Sequence, residues 1–320
     1  MTFSQQTKGE ILKSIKTSRS CCCDTFVYTV LKATGSLELT VKGLALSVSS
    51  ENADFLHVLS DVAYRSAGVR ATVQSENTSA KGAVIYRAVF DKRLLKKFPL
   101  AYRDEEGFIK LNEDIALKNM DACCVRTFVQ ALFVSCGSLV VPDGGALTDD
   151  LPAGRYHMEF VLQKQDFAQF ALKVLQDAGF NFRITQRKNN YVLYIKESEQ
   201  IADMLVFMNA MSAKLQLENV IIQRNLRNVA NRQSNCISAN IDKSVNASAR
   251  QIQSITLLQE QGKLALLSKQ LQQIARLRLD NPDATMSELA EMSQLTKSGV
   301  AHRLDKLVVL ARQLEEQGEN

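Results

Sequence analysis

Seven cysteines and three histidines are the side chains of this chain that could bind a soft metal ion or act as nucleophiles. The cysteines occur as two clusters and two single residues: Cys21–Cys23, Cys123–Cys124, Cys136 and Cys236. Zinc sites usually use pairs separated by two to four residues, whereas neighbours on a helix point about 100° apart. The spacing therefore predicts no metal site and no cofactor. Cys22 and Cys124 are expected to pack as small apolar residues.

The histidines and the motif inventory give no positive support for catalysis. His57 falls in a predicted helix and His157 in a predicted strand, and neither is paired with a nucleophile. The sequence contains no GxSxG, Walker A, HExxH or GxGxxG pattern. We therefore expect a protein that is not an enzyme.

The cysteine clusters belong to an internal repeat. Residues 21–37 (CCCDTFVYTVLKATGSL) and 123–139 (CCVRTFVQALFVSCGSL) align without a gap and share eight identities in 17 positions. This similarity is far above chance and indicates a duplicated unit of about 100 residues.

Each copy has the same pattern of elements. An apolar helix ends at a Gly-Ser pair, with the glycine (Gly35 or Gly137) expected as the C-cap. Two alternating strands follow, then a helix ending at Gly68 or Gly179, two more strands and a closing helix. In the second copy a turn is expected around Pro142–Gly145. The unit is therefore αββαββα, occurring twice.

A pair of such units resembles the LAGLIDADG homing endonuclease fold, in which two motif helices pack at a pseudo-two-fold axis. In that family the penultimate motif residue is an acid that binds the catalytic metal. The corresponding positions here are Thr34 and Cys136, which we interpret as degenerate former metal positions. Phosphodiester hydrolysis with Mg²⁺ needs hard oxygen ligands, so the resemblance implies an inactive nuclease. Asp24 lies near the opposite end of the first helix, too far away to substitute.

The C-terminal part has the pattern of a helix-turn-helix. A helix from Lys263 is expected to stop near Asn281-Pro282, where proline cannot continue it. Thr285 and Glu288 predict a capping box, and Thr296 predicts a second N-cap after a short turn. Ala290 is expected where the two helices cross, above a buried stripe of leucines and Val300. The outer face of the second helix would then present Lys297, Ser298, His302, Arg303 and Lys306 to DNA.

The segment that joins the two parts is rich in asparagine and arginine. We expect phosphate or base contacts from Arg227, Arg232 and Lys243, although the residues could equally form a structured linker whose asparagines cap turns. With so many asparagines, the segment is not expected to be a simple helix.

This segment and the helix-turn-helix together resemble the WhiA family of bacterial DNA-binding proteins. The resemblance rests on Arg227-Asn228, Asn231-Arg232, Asn235-Cys236, Lys243, Asn246-Ala247, Lys297-Ser298-Gly299-Val300 and His302-Arg303-Leu304. The paired cysteines before each Gly-Ser helix and the N-terminal Phe3-Ser4 agree with it, and the loop from Gly144 to Gly154 matches least. The resemblance implies a role in transcription, with links to cell division, chromosome segregation or sporulation. It also implies partners such as a sigma factor, RNA polymerase or another transcription regulator.

The predicted fold class is α+β: a duplicated αββαββα LAGLIDADG-like N-terminal domain followed by an all-α helix-turn-helix domain. We place repeat A at 1–117, repeat B at 118–218, the connecting segment at 219–262 and the helix-turn-helix domain at 263–320. The net charge is +5, and residues 220–320 carry 13 Lys/Arg against 10 Asp/Glu. This charge permits DNA binding without requiring it.

We expect a cytoplasmic, nucleoid-associated protein, because no apolar run approaches the roughly 18 residues that span a bilayer. Its partner would be double-stranded DNA. Arg183, Arg187, Lys188 and Lys196 are further candidate phosphate contacts on the second sheet. Two alternatives stay open, namely a protein-interaction scaffold without DNA binding and an active LAGLIDADG-type endonuclease.

Overall fold

The structure is a computed structural model. It describes residues 2–15, 19–40, 43–77, 84–103, 105–106, 109–112, 117, 120–142 and 155–318. The chain divides into two compact units, Met1–Arg224 and Asn225–Asn320. The sequence-based expectations for Asp143–Gly145 and for the Gly144–Gly154 loop lie outside the described residues.

The first unit opens with a helix that the sequence analysis did not assign. This helix, α1 (Phe3–Ser14), begins with a capping box between Thr2 and Gln5. The first repeat follows as α2 (Ser20–Thr34), β1 (Ser36–Thr40), β2 (Gly43–Ser50), α3 (Ala53–Ala67), β3 (Thr72–Asn77), β4 (Val84–Asp91) and α4 (Arg93–Lys97). Two short strands, β5 (Ala101–Arg103) and β6 (Ile109–Leu111), pair with each other after it.

The second repeat has the same order of elements. It comprises α5 (Ala122–Cys136), β7 (Gly137–Val140), β8 (His157–Leu162), α6 (Gln165–Asp177), β9 (Arg183–Arg187), β10 (Asn190–Ile195) and α7 (Ser198–Phe207). Both four-stranded sheets are antiparallel, in the matching orders β1-β2-β4-β3 and β7-β8-β10-β9. The predicted αββαββα duplication and the α+β class are confirmed.

The helices α2 and α5 pack against each other in the centre of the first unit. Phe26, Val27, Phe128 and Val129 on these helices are fully buried. Such apolar burial, at roughly 25 cal/mol per Å², is the main force that joins the two repeats. The paired motif helices expected from the duplication are thus present.

Gly35 and Gly137 cap these helices for a different reason from the one expected. Both have extended backbone, with φ of −71° and −84°, rather than the left-handed conformation of a glycine C-cap. Each helix passes directly into a strand, and a Cβ on Gly35 would lie 2.4 Å from the Leu31 carbonyl oxygen. A close backbone approach therefore requires glycine here, whereas Gly68 does adopt a φ of 68°.

The asparagine-rich segment is helical, so the expectation that it is not a simple helix was wrong. A single helix of 50 residues, α8, runs from Met211 to Glu260. Asparagine is only a moderately poor helix former, and its cost per residue is a few tenths of a kcal/mol relative to better formers. Composition alone therefore could not exclude a helix.

The second unit continues with a 3₁₀ turn (Leu264–Leu266) and three helices, α9 (Lys269–Asp280), α10 (Met286–Ser293) and α11 (Lys297–Gly318). The helix expected from Lys263 therefore starts six residues later, after Ser268. Across the described residues, no helix has both the length and the apolar character needed to cross a membrane.

Candidate nucleic-acid interface

The three C-terminal helices enclose one small core. Leu289, Val300, Leu304 and Leu307 are fully buried, and Ala290 is nearly so. Leu295 is partly buried against the same cluster. The predicted buried stripe is therefore present, and the small side chain of Ala290 lies within it. Ile255 and Leu258 of α8 also belong to this core.

The predicted caps are present at the starts of α10 and α11. The Thr285 N–H donates to Glu288 Oε2 at 2.7 Å, and the Glu288 N–H donates to Thr285 Oγ1 at 3.3 Å. Gln294 adopts the left-handed conformation at the end of α10, with φ 54°. The Gly299 N–H then donates to Thr296 Oγ1 at 3.1 Å, which caps α11.

Arg278 holds the loop that leads from α9 into α10. Its side chain is buried, and Nη1 donates to the carbonyl oxygens of Asn281, Pro282 and Ala284 at 2.8–3.4 Å. Burial lowers the pKa of this guanidinium. Arg278 is not among the residues singled out from the sequence, because side-chain-to-loop bonds leave no periodic signal.

The structure places four of the five predicted contact residues of α11 in solvent. Lys297, Ser298, His302 and Lys306 are exposed. Ser298, His302 and Lys306 recur every fourth residue and so follow one side of the helix. The exposed face also carries Asp305, whose negative charge opposes phosphate.

Arg303 differs from the expectation that it faces outward. It is half-buried, and Nη2 donates to Gln270 Oε1 of α9 at 3.4 Å. Arg303 lies only one residue before the buried Leu304, which turns its side chain toward α9. It therefore lies beside the exposed face rather than on it.

The three predicted contact residues of α8 do not share one face. All residues from Asn225 to Asn246 are exposed. At about 100° per residue, Arg232 and Lys243 project within about 20° of each other, whereas Arg227 lies about 140° from Arg232.

A row of asparagines on α8 was missed in the sequence analysis. Asn228, Asn231, Asn235 and Asn246 project within about 60° of one another around the helix, and all are exposed. Their spacing of three and four residues is the signal that could have revealed it. Carboxamides can read adenine in the major groove.

The outer face of the second sheet is mainly basic; it also carries Glu159, which is opposite Tyr194 and lies 2.9 Å from His157 Nε2. Four basic residues lie in or beside its strands β9 and β10: Arg183, Arg187, Lys188 and Lys196. Arg183 is directly opposite Tyr194 in the register, and Arg187 is opposite Asn190, so the two arginines share a face with that tyrosine. Lys196 Nζ lies 5.0 Å from the centroid of the Tyr194 ring.

Among the residues that the structure describes, the equivalent face of the first sheet is not basic. The register places Glu38 and Asp91 on this face, each opposite Ala45 of β2. Arg87 is on the same face and forms an ion pair with Glu38. The two repeats therefore differ in the charge that they offer to a phosphate backbone.

The former metal positions lie at the C-terminal ends of α2 and α5. Thr34 Oγ1 donates to the Val30 carbonyl at 3.1 Å, and Cys136 Sγ donates to the Leu132 carbonyl at 3.3 Å. Burial raises the pKa of the Cys136 thiol to about 12, so it is neutral at neutral pH. Burial also lowers the pKa of the nearby Lys8 amine. The electrostatic effects of Cys136 and Glu51 oppose this shift without cancelling it. Neither Thr34 nor Cys136 offers a carboxylate, and an amine and a neutral thiol are poor ligands for Mg²⁺.

The opposite ends of the same helices bring four cysteines together. The sulfur atoms of Cys21, Cys22, Cys123 and Cys124 all lie within 4.8 Å of one another. The prediction of no metal site rests on the spacing within each adjacent pair. Because α2 and α5 are neighbours, each helix contributes two sulfurs to one cluster.

Comparison with known proteins follows the same division of the chain. Residues 125–227 match the family model described as the WhiA LAGLIDADG-like domain. Residues 230–311 match the model described as the WhiA C-terminal HTH domain.

Curated relatives match along nearly the whole chain. A protein of Caldicellulosiruptor saccharolyticus named "Probable cell division protein WhiA" is 32% identical, covering 99% of this chain and 97% of the relative. A protein of the same name from Clostridium perfringens strain SM101 is 31% identical, covering 98% of each. The crystal structure of full-length DUF199/WhiA from Thermatoga maritima is similar with a TM-score of 0.54 at 23% identity, covering 98% of this chain and 99% of that one.

Proposed function

This chain belongs to the WhiA family, and from that membership we propose that it is a non-catalytic, double-stranded-DNA-binding regulator of transcription that serves cell division. The relatives carry cell division in their names. Sporulation and chromosome segregation, the other roles implied by the resemblance, have no separate observation in their favour. A DNA-bound regulator would be associated with the nucleoid.

The observation that carries this proposal is the exposed N-terminal half of α11. A capped helix end, held by a buried three-helix core, presents Lys297, Ser298, His302 and Lys306 to solvent. Recognition helices insert this part into the major groove. In our proposal Ser298 and His302 approach base edges, and Lys297 and Lys306 neutralise phosphates.

Two further surfaces are proposed as supporting contacts. Arg232 and Lys243 project from one side of the exposed stretch of α8, and Arg227 projects from another. The basic face of the second sheet, with Arg183 and Arg187, would add phosphate contacts. A sigma factor, RNA polymerase or another transcription regulator is the class of protein partner that a regulator of this kind would require.

The test is the affinity of the full chain for random duplex DNA at two salt concentrations. Each neutralised phosphate lowers the logarithm of affinity by about 0.9 per tenfold increase in salt. We expect the affinity to fall steeply as salt increases, because several cations lie on the proposed surfaces. Binding that is absent at low salt would instead favour the protein-interaction scaffold.

A plasmid-nicking assay with Mg²⁺ separates this proposal from an active endonuclease. The neutral Thr34 and Cys136 at the former metal positions support an intact plasmid as the outcome. Cleavage that depends on Mg²⁺ would overturn the non-catalytic assignment.

A further inference from the structure

The cluster of Cys21, Cys22, Cys123 and Cys124, which we call the cysteine cluster, shares no residue with the proposed DNA-binding surfaces. It lies in the first turns of α2 and α5. Each helix has 15 residues, so at 1.5 Å per residue the cluster is about 20 Å from the former metal positions. Its chemistry is therefore independent of those positions.

We propose that the cysteine cluster is a structural site for a single zinc ion held by four thiolates. In a tetrahedral site with Zn–S bonds of about 2.3 Å, the sulfur atoms are about 3.8 Å apart. Here Cys123 Sγ and Cys124 Sγ are separated by 3.9 Å, and all four sulfurs lie within 4.8 Å. Shifts of roughly 1 Å or less would thus complete a tetrahedron. Iron–sulfur clusters distribute their cysteines over several irons and need wider spacing.

The cluster is made of the duplicated cysteines. Cys21 and Cys22 correspond to Cys123 and Cys124 in the alignment of the two repeats. Cys23, the third member of the first run, corresponds to Val125 and is not part of the cluster. A closed structural zinc site needs four ligands, and the repeat supplies two from each helix.

The residues that contact the cysteine cluster are also duplicated. Burial raises the pKa of Cys22 to about 11, and a hydrogen bond with Thr127 acts in the lowering direction. Burial raises the pKa of Cys124 to about 12, against a lowering by Thr25. Thr25 and Thr127 are themselves equivalent residues. Hydroxyl groups beside ligating sulfurs are the kind of outer contact that orients a metal site.

Two cationic features offset the charge of four thiolates. Arg19 Nη1 donates to Cys123 Sγ at 3.5 Å. The cysteines also lie at the N-terminal ends of α2 and α5, where the positive end of the helix dipole favours thiolates. A zinc ion would then join the two repeats at the end of their shared helix pair.

The experiment uses untagged, full-length protein, stripped of metal under reducing conditions and titrated with Co²⁺. We expect one equivalent to produce the visible and near-ultraviolet bands of a tetrahedral cobalt–thiolate complex, and Zn²⁺ to displace it. Zinc should also raise the thermal unfolding midpoint of the wild type. Elemental analysis of protein purified without added metal should find one zinc per chain.

Variants assign the ligands. Cys21→Ser, at an exposed position, and Cys124→Ser should each lose the cobalt signature. Cys23→Val, which installs the residue of the second repeat, and Cys236→Ser on α8 should retain it. Failure of reduced wild type to bind Co²⁺ would overturn the site. An unchanged cobalt signature in both Cys21→Ser and Cys124→Ser would also overturn it. A disulfide between α2 and α5 in the purified, metal-free protein would do the same.

Discussion

Charge on single side chains decides how α11 would contact DNA. Lys297→Ala and Lys306→Ala should each lower the salt slope of DNA binding by about one, with similar losses for all sequences, because each removes a phosphate contact. Arg303→Ala should lower the slope less, since Arg303 is directed toward Gln270. Fluorescence anisotropy with duplex DNA measures both quantities. Lys173→Ala, at an exposed lysine of α6, is the charge-matched control.

The capping box at the start of α10 makes the stability of the folded chain depend on pH. Hydrogen bonds from the Thr285 backbone and side chain hold the pKa of Glu288 below its usual value. A lowered pKa in the folded state stabilises the helix above the unfolded pKa, near 4.5, and this contribution disappears as pH falls through the folded pKa. Glu288→Gln should therefore be less stable than wild type at neutral pH, and the difference should vanish in acid.

Thr285→Ala tests the other half of the capping box. Removing the N-cap oxygen should cost about 1 kcal/mol, because the Glu288 N–H loses its acceptor. Urea unfolding followed by circular dichroism measures the loss. Ser287 is exposed and lies two residues after Thr285, so Ser287→Ala should have little effect. Equal stability of Thr285→Ala and wild type would contradict the capping role.

At the scale of elements, Gly35 and Gly137 allow α2 and α5 to pass directly into strands. Gly35→Ala should destabilise the first unit by about 1–3 kcal/mol, because its Cβ would lie 2.4 Å from the Leu31 carbonyl oxygen. Gly9→Ala is the matched control, since no atom lies within 4 Å of a Cβ there and alanine favours the interior of α1. Relative to wild type, the thermal unfolding midpoint should fall in Gly35→Ala and rise in Gly9→Ala.

Elements with strong local patterns could be predicted, and those that depend on distant partners could not. The repeated Gly-Ser helix, the alternating strands and the Thr285 cap each have a signal within a few residues. The helix α8 was missed because asparagine content was weighed without its three- and four-residue spacing. The cysteine cluster was missed because its two halves are 102 residues apart in sequence and meet only when α2 and α5 pack.

At the scale of the molecule, the two repeats have kept one fold while their outer sheet faces have diverged in charge. Arg183 and Arg187 lie on the second sheet, whereas Glu38 and Asp91 occupy the equivalent face of the first. If both sheets contacted DNA in the same way, both outer faces would need basic residues, because both would lie against phosphates. The charge distribution therefore favours contact through the second sheet alone.

The two arginines of the second sheet are expected to contribute phosphate contacts. Arg183→Gln with Arg187→Gln should weaken DNA binding and lower the salt slope, because two cations leave a surface that faces phosphate. Arg87→Gln on the first sheet should leave the slope unchanged, since Arg87 is paired with Glu38. Combining the second-sheet pair with Lys306→Ala tests whether both surfaces hold the same duplex, and the slope losses should then add. An unchanged slope in the second-sheet pair would leave the helix-turn-helix and α8 as the proposed DNA contacts and assign the sheet to another partner.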